Sequence, residues 1–223
     1  MKNQVTSPQQ VGALYAVYGA SGCGRGIMPL ARQQLAQAGI ASDRLVFVDD
    51  APTADLLNGQ RVLTYAQFLA EPATQRFVVL AIANGAVRAK LAAQCGQDGV
   101  LPWSVQAANV IIMDAVELGE GAALSPFVTL TSNIRIGRHF HANLYSYVEH
   151  DCVIGDFVTF APGVQCNGNI VIEDHAYIGA GAVIKQGKPG QPLIIGRGAV
   201  VGMGAVVTKS VAAGGTGVGN PAR

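Results

Sequence analysis

Residues 136–160 read IGRHFHANLYSYVEHDCVIGDFVTF, and an apolar residue recurs at every sixth position of this stretch. The register holds for thirteen hexads, whose lead residues are Ile112, Leu118, Leu124, Leu130, Ile136, Ala142, Val148, Ile154, Phe160, Cys166, Ile172, Ile178 and Ile184. After an insertion at residues 188–192 the register resumes at Ile195. A regular short period indicates a repeat architecture. Here it predicts a triangular parallel β-helix with one short strand per hexad and three hexads per coil.

The hexads also predict what lies inside the coil. We expect side chains at the first and fifth positions to fill the interior, and glycines that follow the lead residue, such as Gly137, to turn the corners. Cys152 and Cys166 hold inward positions, where a thiol behaves as a small apolar group. With Cys95 in a predicted helix and Cys23 in a glycine-rich loop, the four cysteines do not indicate a disulfide framework.

The composition narrows the class of protein. Half of the 223 residues are apolar, 13% are charged and the formal net charge is +1, which suits one large domain or two small ones. No basic run is present, so nucleic acid is not an expected partner. The first ten residues, MKNQVTSPQQ, lack the apolar stretch of a signal peptide, and the apolar run at residues 77–83 is too short to span a bilayer. We therefore expect a cytoplasmic protein without membrane insertion.

The first 105 residues follow a different pattern, typical of a small α/β domain. The predicted elements are a strand at 14–18, a glycine loop at 19–26, a helix at 27–38, a strand at 45–48, a helix at 65–69, a strand at 77–83 and a helix at 86–95. This order indicates βαβ units and a parallel sheet of three or four strands. The segment 102–109 is expected to join this domain, residues 1–105, to a β-helix domain at 106–223.

The glycine loop, GASGCGRG at 19–26, has two interpretations. A glycine-rich turn that leads into a helix presents bare N–H groups and the positive end of the helix dipole to an anion such as a diphosphate. Asp49 and Asp50, at the end of the next strand, are placed to accept hydrogen bonds from a ribose or a base. The alternative is a tight turn without a ligand. The domain is too short for a full dinucleotide fold, which argues against NAD.

The coil period predicts which histidines lie close together, because residues eighteen apart in sequence stack about 4.8 Å from each other. His139 and His175 share a column with Phe157 between them, so their rings are roughly 9.6 Å apart and do not share a metal. We therefore predict no metal site within one subunit. His141 is expected to be a polar surface residue.

His150 stands in a different setting. It holds an outward third position, Gly168 lies directly over it in the next coil, and Glu149 and Asp151 flank it. A glycine over the ring leaves an open slot, and a neighbouring carboxylate makes an imidazole more basic, as a general base requires. A solvated surface histidine is the alternative. With the coil's cysteines pointing inward, one base and backbone N–H groups that steady an oxyanion fit the residues better than a thiol nucleophile.

Several motifs together resemble a family. The glycine loop, residues 47–50 (FVDD), 149–155 (EHDCVIG) and 219–222 (GNPA) are similar to the hexapeptide-repeat, left-handed β-helix acyltransferases. Within them they resemble the bacterial nucleotide-amino-sugar N-acetyltransferases, a group that includes sialic acid O-acetyltransferases. The resemblance covers almost the whole chain from about residue 14. It implies a homotrimer with acetyl-CoA in the groove between adjacent β-helices.

The resemblance also implies roles for particular residues. His150 is the catalytic base, Asp151 its carboxylate partner, and Asn143 lies near the reacting centre. The substrate-binding residues it implies are Ser21, Gly22, Cys23, Asp49, Asp50, Ala83, Asn84 and Arg88. Those expected at acetyl-CoA are Thr159, Gly168, Ala180, Gly202 and Met203.

Three positions depart from the family pattern. The family commonly has a histidine where this chain has Cys23, which leaves the identity of the nucleotide open. Some relatives have a second active-site histidine at Thr159, which bears on how the acetyl carbonyl is held. The linking segment lacks the usual His-Pro pair and reads LPWS at 101–104.

The sequence therefore predicts transfer of acetyl from acetyl-CoA to the amine of a nucleotide-linked sugar, such as a 4-amino-4,6-dideoxy sugar, in bacterial glycan biosynthesis. Three alternatives stay open. A histidine base serves a hydroxyl acceptor equally well, as in sugar or sialic acid O-acetylation. A γ-class carbonic anhydrase uses the same coil with zinc between subunits. A non-catalytic scaffold would not bind acetyl-CoA at all.

Overall fold

The computed structural model describes residues 12–223. The polar start MKNQVTSPQQ, on which the prediction of no signal peptide rests, lies outside them. The N-terminal elements are β1 (Leu14–Tyr18), α1 (Gly22–Gln37), a 3-10 helix (Ser42–Arg44), β2 (Leu45–Val48), β3 (Leu56–Leu57), β4 (Gln60–Leu63), α2 (Tyr65–Ala70), β5 (Arg76–Leu80), α3 (Gly85–Gln97) and β6 (Leu101–Pro102).

These strands form one sheet of six in the order β3-β4-β2-β1-β5-β6, not the three or four strands expected. All neighbours are parallel except β3 and β4. That pair is a hairpin with a two-residue loop, Asn58-Gly59, and both residues have positive φ, +49° and +75°. An Asn-Gly turn is a strong hairpin signal, and it was present in the sequence.

The helix α1 begins at Gly22, five residues earlier than predicted. Only Gly19, Ala20 and Ser21 connect it to β1. Gly24, expected in the loop, lies inside the helix. It must be a glycine because a β-carbon there would overlap the carbonyl oxygen of Gly19. This glycine therefore allows the first helical turn to pack closely on the strand end.

The remainder of the chain is a triangular parallel β-helix, as predicted. One face contains β7 (Val105–Gln106), β10 (Ala123–Leu124), β13 (His141–Ala142), β16 (Thr159–Phe160), β19 (Tyr177–Ile178), β22 (Val200–Val201) and β24 (Thr216–Gly217). The second contains β8 (Ile111–Ile112), β11 (Thr129–Leu130), β14 (Tyr147–Val148), β17 (Gln165–Cys166), β20 (Val183–Ile184) and β23 (Val206–Val207). The third contains β9 (Val116–Leu118), β12 (Ile134–Ile136), β15 (Val153–Ile154), β18 (Ile170–Ile172) and β21 (Leu193–Ile195).

The pairing register confirms the period. Leu130 pairs with Val148 and Val148 with Cys166, which is an offset of eighteen residues. Across the insertion Ile178 pairs with Val201, so the offset grows by the five residues 188–192. The coil begins earlier than expected, since Val105 already pairs with Ala123. The predicted link therefore contains the first strand of the coil.

The corners are not turned by the glycines that follow the lead residues. The fourth position of each hexad carries the positive φ instead, and in twelve successive hexads it is Ala115, Gly121, Phe127, Asn133, His139, Tyr145, Asp151, Phe157, Gly163, Asn169, His175 and Gly181. Gly137 has a different reason to lack a side chain, because a β-carbon there would lie 2.7 Å from Gly155 of the next coil. Close stacking of coils, not backbone conformation, selects the glycine.

The coil interior is apolar, as the hexads predicted. The lead residues from Leu124 to Val207 form one continuous core cluster. Cys152 and Cys166 are both fully buried in it, and Cys95 is buried in α3. In the described part of the chain, no helix has the length and apolar character needed to cross a membrane.

Candidate active site

The His150 side chain is fixed at the corner that follows β14. It is 41% exposed, and its Nδ1 lies 2.8 Å from Oδ2 of Asp151. Asp151 holds the left-handed corner conformation, φ +57°, which turns its carboxylate beside the ring. The hydrogen bond to Asp151 raises the pKa of the imidazole, and the charges of Asp151 and Glu149 act in the same direction. With Nδ1 donating to the carboxylate, Nε2 keeps the lone pair that a base uses.

Gly168 forms the wall above the ring. A β-carbon at this position would lie 2.6 Å from Cε1 and 2.7 Å from Nε2 of His150. The backbone on either side is anchored, because Asn169 N–H donates to the His150 carbonyl at 3.0 Å and Asp151 N–H to that of Ser132 at 3.2 Å. The slot predicted from the sequence therefore exists, and any larger residue at 168 closes it.

Asn143 lies away from His150 in the same chain. It precedes β14 at one corner, whereas His150 follows β14 at the next corner. Its Nδ2 donates to the Phe160 carbonyl of the adjacent coil at 2.8 Å. The structure therefore does not bring the predicted asparagine and base together within one chain.

The residues predicted at acetyl-CoA divide between the same two corners. Gly168 stands above His150, whereas Ala180, Gly202 and Met203 follow β19 and β22, on the Asn143 corner. Met203 is 82% exposed, and a β-carbon at Gly202 would lie 2.8 Å from a methyl group of Val218. The candidate site is thus spread over two edges of one face of the prism.

The glycine-loop residues surround a cavity of about 250 Å³ lined by Ser21, Arg25, Asp49 and Pro52 among others. Asp49 accepts hydrogen bonds from Ala20 N–H and Ala51 N–H, both at 3.0 Å, so its carboxylate shapes the cavity wall. Ser21 caps α1 without a side-chain hydrogen bond. Arg25, a cation in the first turn of α1 that lines the same cavity, was not among the predicted site residues.

Three other predicted substrate residues lie just after β2 or at the start of α1. Asp50 accepts a hydrogen bond from the Tyr18 hydroxyl at 2.6 Å. Gly22 is the first residue of α1, and a β-carbon there would meet open space. Burial raises the pKa of the Cys23 thiol, and the charge of Arg88 acts against this effect. A neutral thiol therefore stands where the family commonly has a histidine.

Ala83 and Asn84 line a second cavity of about 450 Å³, between the start of α3 and the coil residues His175 and Tyr177. Asn84 caps α3, and its Oδ1 accepts from Val87 N–H at 3.0 Å. Both residues therefore belong to the boundary between the sheet domain and the coil.

Arg88, which the resemblance places at the border of the nucleotide, is fully buried. Its guanidinium donates to the carbonyls of His139, Ile82, Ala83 and Val158, at 2.7–3.2 Å, and to the hydroxyl of Thr159 at 3.0 Å. Burial lowers its pKa to about 10.

Thr159 belongs to the same cluster, because its hydroxyl donates to the Ala83 carbonyl at 2.8 Å and only 2% of the residue is exposed. In this structure Arg88 and Thr159 join α3 to the coil, and we call them the Arg88 clamp.

The other three histidines lie where the coil meets the sheet domain. His139, Phe157 and His175 stack in one column with ring centroids 5.0 and 5.3 Å apart, as the coil period predicted. His141 is buried, not on the surface as expected, because α3 and the sheet cover this face. Burial lowers its pKa well below the ordinary value. Among residues 12–223 no group of three His, Cys, Asp or Glu side chains is arranged to hold a metal ion.

Comparison with known proteins agrees with this architecture. A family profile described as "Hexapeptide repeat of succinyl-transferase" matches residues 169–209. A GDP-perosamine N-acetyltransferase from Escherichia coli O157:H7 is 52% identical over 210 residues, covering 94% of this chain and 95% of the relative. The solved structure of WeeI from Acinetobacter baumannii AYE is 60% identical with a TM-score of 0.92, covering 95% of this chain and 99% of that one.

A more distant solved structure contains the acyl donor. The acetyltransferase domain of PglB from Neisseria gonorrhoeae FA1090, in complex with acetyl coenzyme A, is 26% identical with a TM-score of 0.81. The match covers 94% of this chain and 97% of that domain. This chain belongs to the hexapeptide-repeat acyltransferases, whose coil is the left-handed β-helix, and within them to the nucleotide-amino-sugar N-acetyltransferases.

Proposed function

We propose that this protein transfers acetyl from acetyl-CoA to the primary amine of a nucleotide-linked amino sugar, and that GDP-perosamine is the first acceptor to test. The 52% identity to a GDP-perosamine N-acetyltransferase extends over 94% of the chain and supports this acceptor. The bound acetyl coenzyme A in the PglB domain supports the donor. A cytoplasmic location stays a prediction.

His150 acts as the general base in this proposal. The observation that carries it is the geometry of the ring, with Nδ1 bonded to Asp151 at 2.8 Å and Nε2 beneath Gly168. A sugar amine is protonated near neutral pH and must lose a proton to form the new bond. After that first proton has gone to solvent and left a free amine, Nε2 takes a second proton as the nitrogen attacks the thioester carbonyl. The carbon–sulfur bond then breaks, and CoA leaves as the thiol after a proton is returned to it.

The negative charge that forms on the carbonyl oxygen needs donors close to the base. In the described part of the chain, the Gly168 N–H donates no hydrogen bond to protein. Gly168 lies directly over the imidazole, so its N–H is our candidate for holding the oxyanion. The thioester carbonyl would then lie between Gly168 and the attacking amine.

The nucleotide is assigned to residues 1–105, and acetyl-CoA and catalysis to residues 106–223. The cavity at Ser21, Arg25 and Asp49 combines a cation with the N-terminus of α1, which suits a diphosphate. Asp50 and Cys23 are neighbours of these residues in sequence but do not line the cavity. Asn84 and Ala83 border the second cavity, toward the coil.

A homotrimer would explain why the predicted site residues lie on two different edges of one subunit. His150 and Gly168 stand on one edge of the prism, and Asn143, Ala180, Gly202 and Met203 on the next. In a cyclic assembly each interface places one edge of a subunit against a different edge of its neighbour. We propose that acetyl-CoA lies between these two edges and that Asn143 of one subunit approaches His150 of another.

The test measures free CoA with a thiol reagent, using GDP-perosamine and its 4-hydroxyl counterpart in parallel. We expect turnover with the amine only, and His150→Ala should lose at least a hundredfold in kcat. Turnover with the hydroxyl only would favour O-acetylation, and near-normal turnover of His150→Ala would remove the base assigned here.

A further inference from the structure

The backbone N–H groups at the second position of each hexad form hydrogen bonds from one coil to the next, and we call this series the ladder. The ladder is interrupted at one residue. Between Met113 and Lys185, the second-position residues donate their backbone N–H to the first-position carbonyl of the next coil, as Glu149 does to Cys166 at 2.9 Å. In the described chain, Asn167 is the exception, and it directly precedes Gly168. The interruption therefore lies beside the candidate base.

At Asn167 the side-chain amide, instead of the backbone N–H, donates the hydrogen bond to the next coil. Its Nδ2 donates to the Ile184 carbonyl, 2.7 Å away, which is the acceptor the backbone N–H would otherwise use. Within residues 12–223, the Asn167 N–H is consequently without a protein acceptor, and the Gly168 N–H also has none, as at other third positions such as Leu144 and Ala180. Two successive free N–H groups next to a base suit a developing oxyanion.

Tyr147 fixes the Asn167 amide in this orientation. Its hydroxyl donates to Oδ1 of Asn167 at 3.1 Å, so the amide nitrogen must face Ile184. The Cys152 thiol donates to the Asn167 carbonyl at 3.2 Å. Asn167 is thus held from the coil below and the coil above.

The corresponding asparagine at another corner lacks this arrangement. Asn143 also sends Nδ2 to the next coil, at 2.8 Å from the Phe160 carbonyl, but its backbone N–H keeps the ladder bond to the same carbonyl at 3.0 Å. An asparagine alone therefore does not interrupt the ladder. Asn167 differs from Asn143 in that its Oδ1 accepts a hydrogen bond from the Tyr147 hydroxyl.

We propose that Asn167 and Tyr147 are positioning residues, which hold the ladder open so that the N–H groups of residues 167 and 168 receive the thioester oxyanion. This inference rests on the proposed acetyl transfer. It assigns a positioning role to Asn167 and Tyr147, neither of which was among the predicted site residues.

The kinetic test uses Asn167→Ala and Tyr147→Phe. Without the amide, the backbone N–H of residue 167 is free to form the ladder bond, which displaces the oxyanion site by a fraction of an ångström. We expect kcat to fall about thirtyfold in Asn167→Ala and about fivefold in Tyr147→Phe, with little change in KM for either substrate. The lower rate should hold at every pH, because His150 and Asp151 keep their hydrogen bond.

Two matched controls separate positioning from general damage. Asn109→Ala removes another asparagine that bonds the next coil, where its Oδ1 accepts from Phe127 N–H at 3.4 Å, in the first turn of the β-helix. Tyr15→Phe removes a hydroxyl from β1, in the sheet domain. Both variants should keep kcat within a factor of two of the parent enzyme.

A second measurement does not depend on the acetyl-transfer assay. Amide hydrogen exchange should show residue 167 unprotected in the parent protein and protected in Asn167→Ala, where the ladder bond closes. Protection of this amide in the parent protein would overturn the proposal, whether or not the enzyme acetylates GDP-perosamine. Unchanged kcat in Asn167→Ala, or losses matched by the controls, would overturn it as well.

Discussion

His150 is exposed to solvent over two fifths of its side chain, yet its ring has little freedom. Asp151 holds Nδ1 on one side, and the missing side chain of Gly168 allows the ring to lie against the next coil. A surface histidine without these contacts would sample several rotamers. The catalytic geometry therefore depends on one carboxylate and one glycine.

Replacing Asp151 by asparagine should shift the pH dependence of the reaction. The carboxylate raises the pKa of His150, so the Asp151→Asn variant has a more acidic imidazole. Activity needs the neutral base and rises with pH through this pKa. The rising limb of kcat/KM should consequently move to lower pH in the variant, with a lower plateau because the base is weaker. An unchanged limb would mean that His150 does not govern the profile.

Replacing Gly168 by alanine should remove activity without unfolding the coil. The new β-carbon would meet the imidazole at 2.6 Å and push it from the slot, so we expect kcat to fall about a hundredfold. The control is Gly96→Ala in α3, where a β-carbon meets open space. It should keep activity and gain up to about 1 kcal/mol in the free energy of unfolding. Comparable kcat for both variants would contradict the role of the slot.

At the scale of elements, the Arg88 clamp joins α3 to the coil. Its five acceptors come from two parts of the chain that are far apart in sequence. We expect Arg88→Met to lower the free energy of unfolding by about 3 kcal/mol, because several buried acceptors lose a charged donor. Chemical denaturation measures this change.

The control for the clamp is Arg135→Met, an exposed arginine on β12. It should change the free energy of unfolding by less than about 0.5 kcal/mol. If Arg88→Met were equally mild, the clamp would not be what holds α3 on the coil.

Most of the elements could be predicted from the sequence. The six-residue period identifies the strands of the coil, and the apolar residues of β1 identify a buried strand. The hairpin β3–β4 was missed although its Asn58-Gly59 turn was visible. The burial of Arg88 and His141 could not be predicted, because the hexad pattern places His141 on an outer face and gives no sign that α3 covers it. Likewise, the sequence does not show that the side chain of Asn167, and not its backbone N–H, bonds the next coil. That choice depends on the distance between the two coils.

At the scale of the whole molecule, two buried neutral histidines make stability depend on pH. Burial lowers the pKa of His139 to about 4, and that of His141 well below its ordinary value. The unfolded chain binds protons on both near pH 6.5, so acidification from pH 7 toward pH 4 favours unfolding. His141→Leu should flatten this dependence in denaturation curves at pH 7 and pH 5. An unchanged slope would show that His141 is already charged when folded.

The assembly can be tested by complementation. His150→Ala and Asn143→Ala chains, each inactive or weak alone, are mixed by co-expression so that mixed trimers form. If each site combines His150 of one subunit with Asn143 of another, about a quarter of the sites in a random mixture are intact. Absence of any recovered activity in verified mixed trimers would contradict a shared site.

The most direct test of the account is a crystal structure of the protein with CoA and GDP-perosamine. We expect the sugar amine nitrogen within about 3 Å of Nε2 of His150, and the CoA sulfur in the same cleft beside Gly168. An amine directed away from His150, or a CoA sulfur on a different face of the coil, would contradict the assignment of His150 as the base.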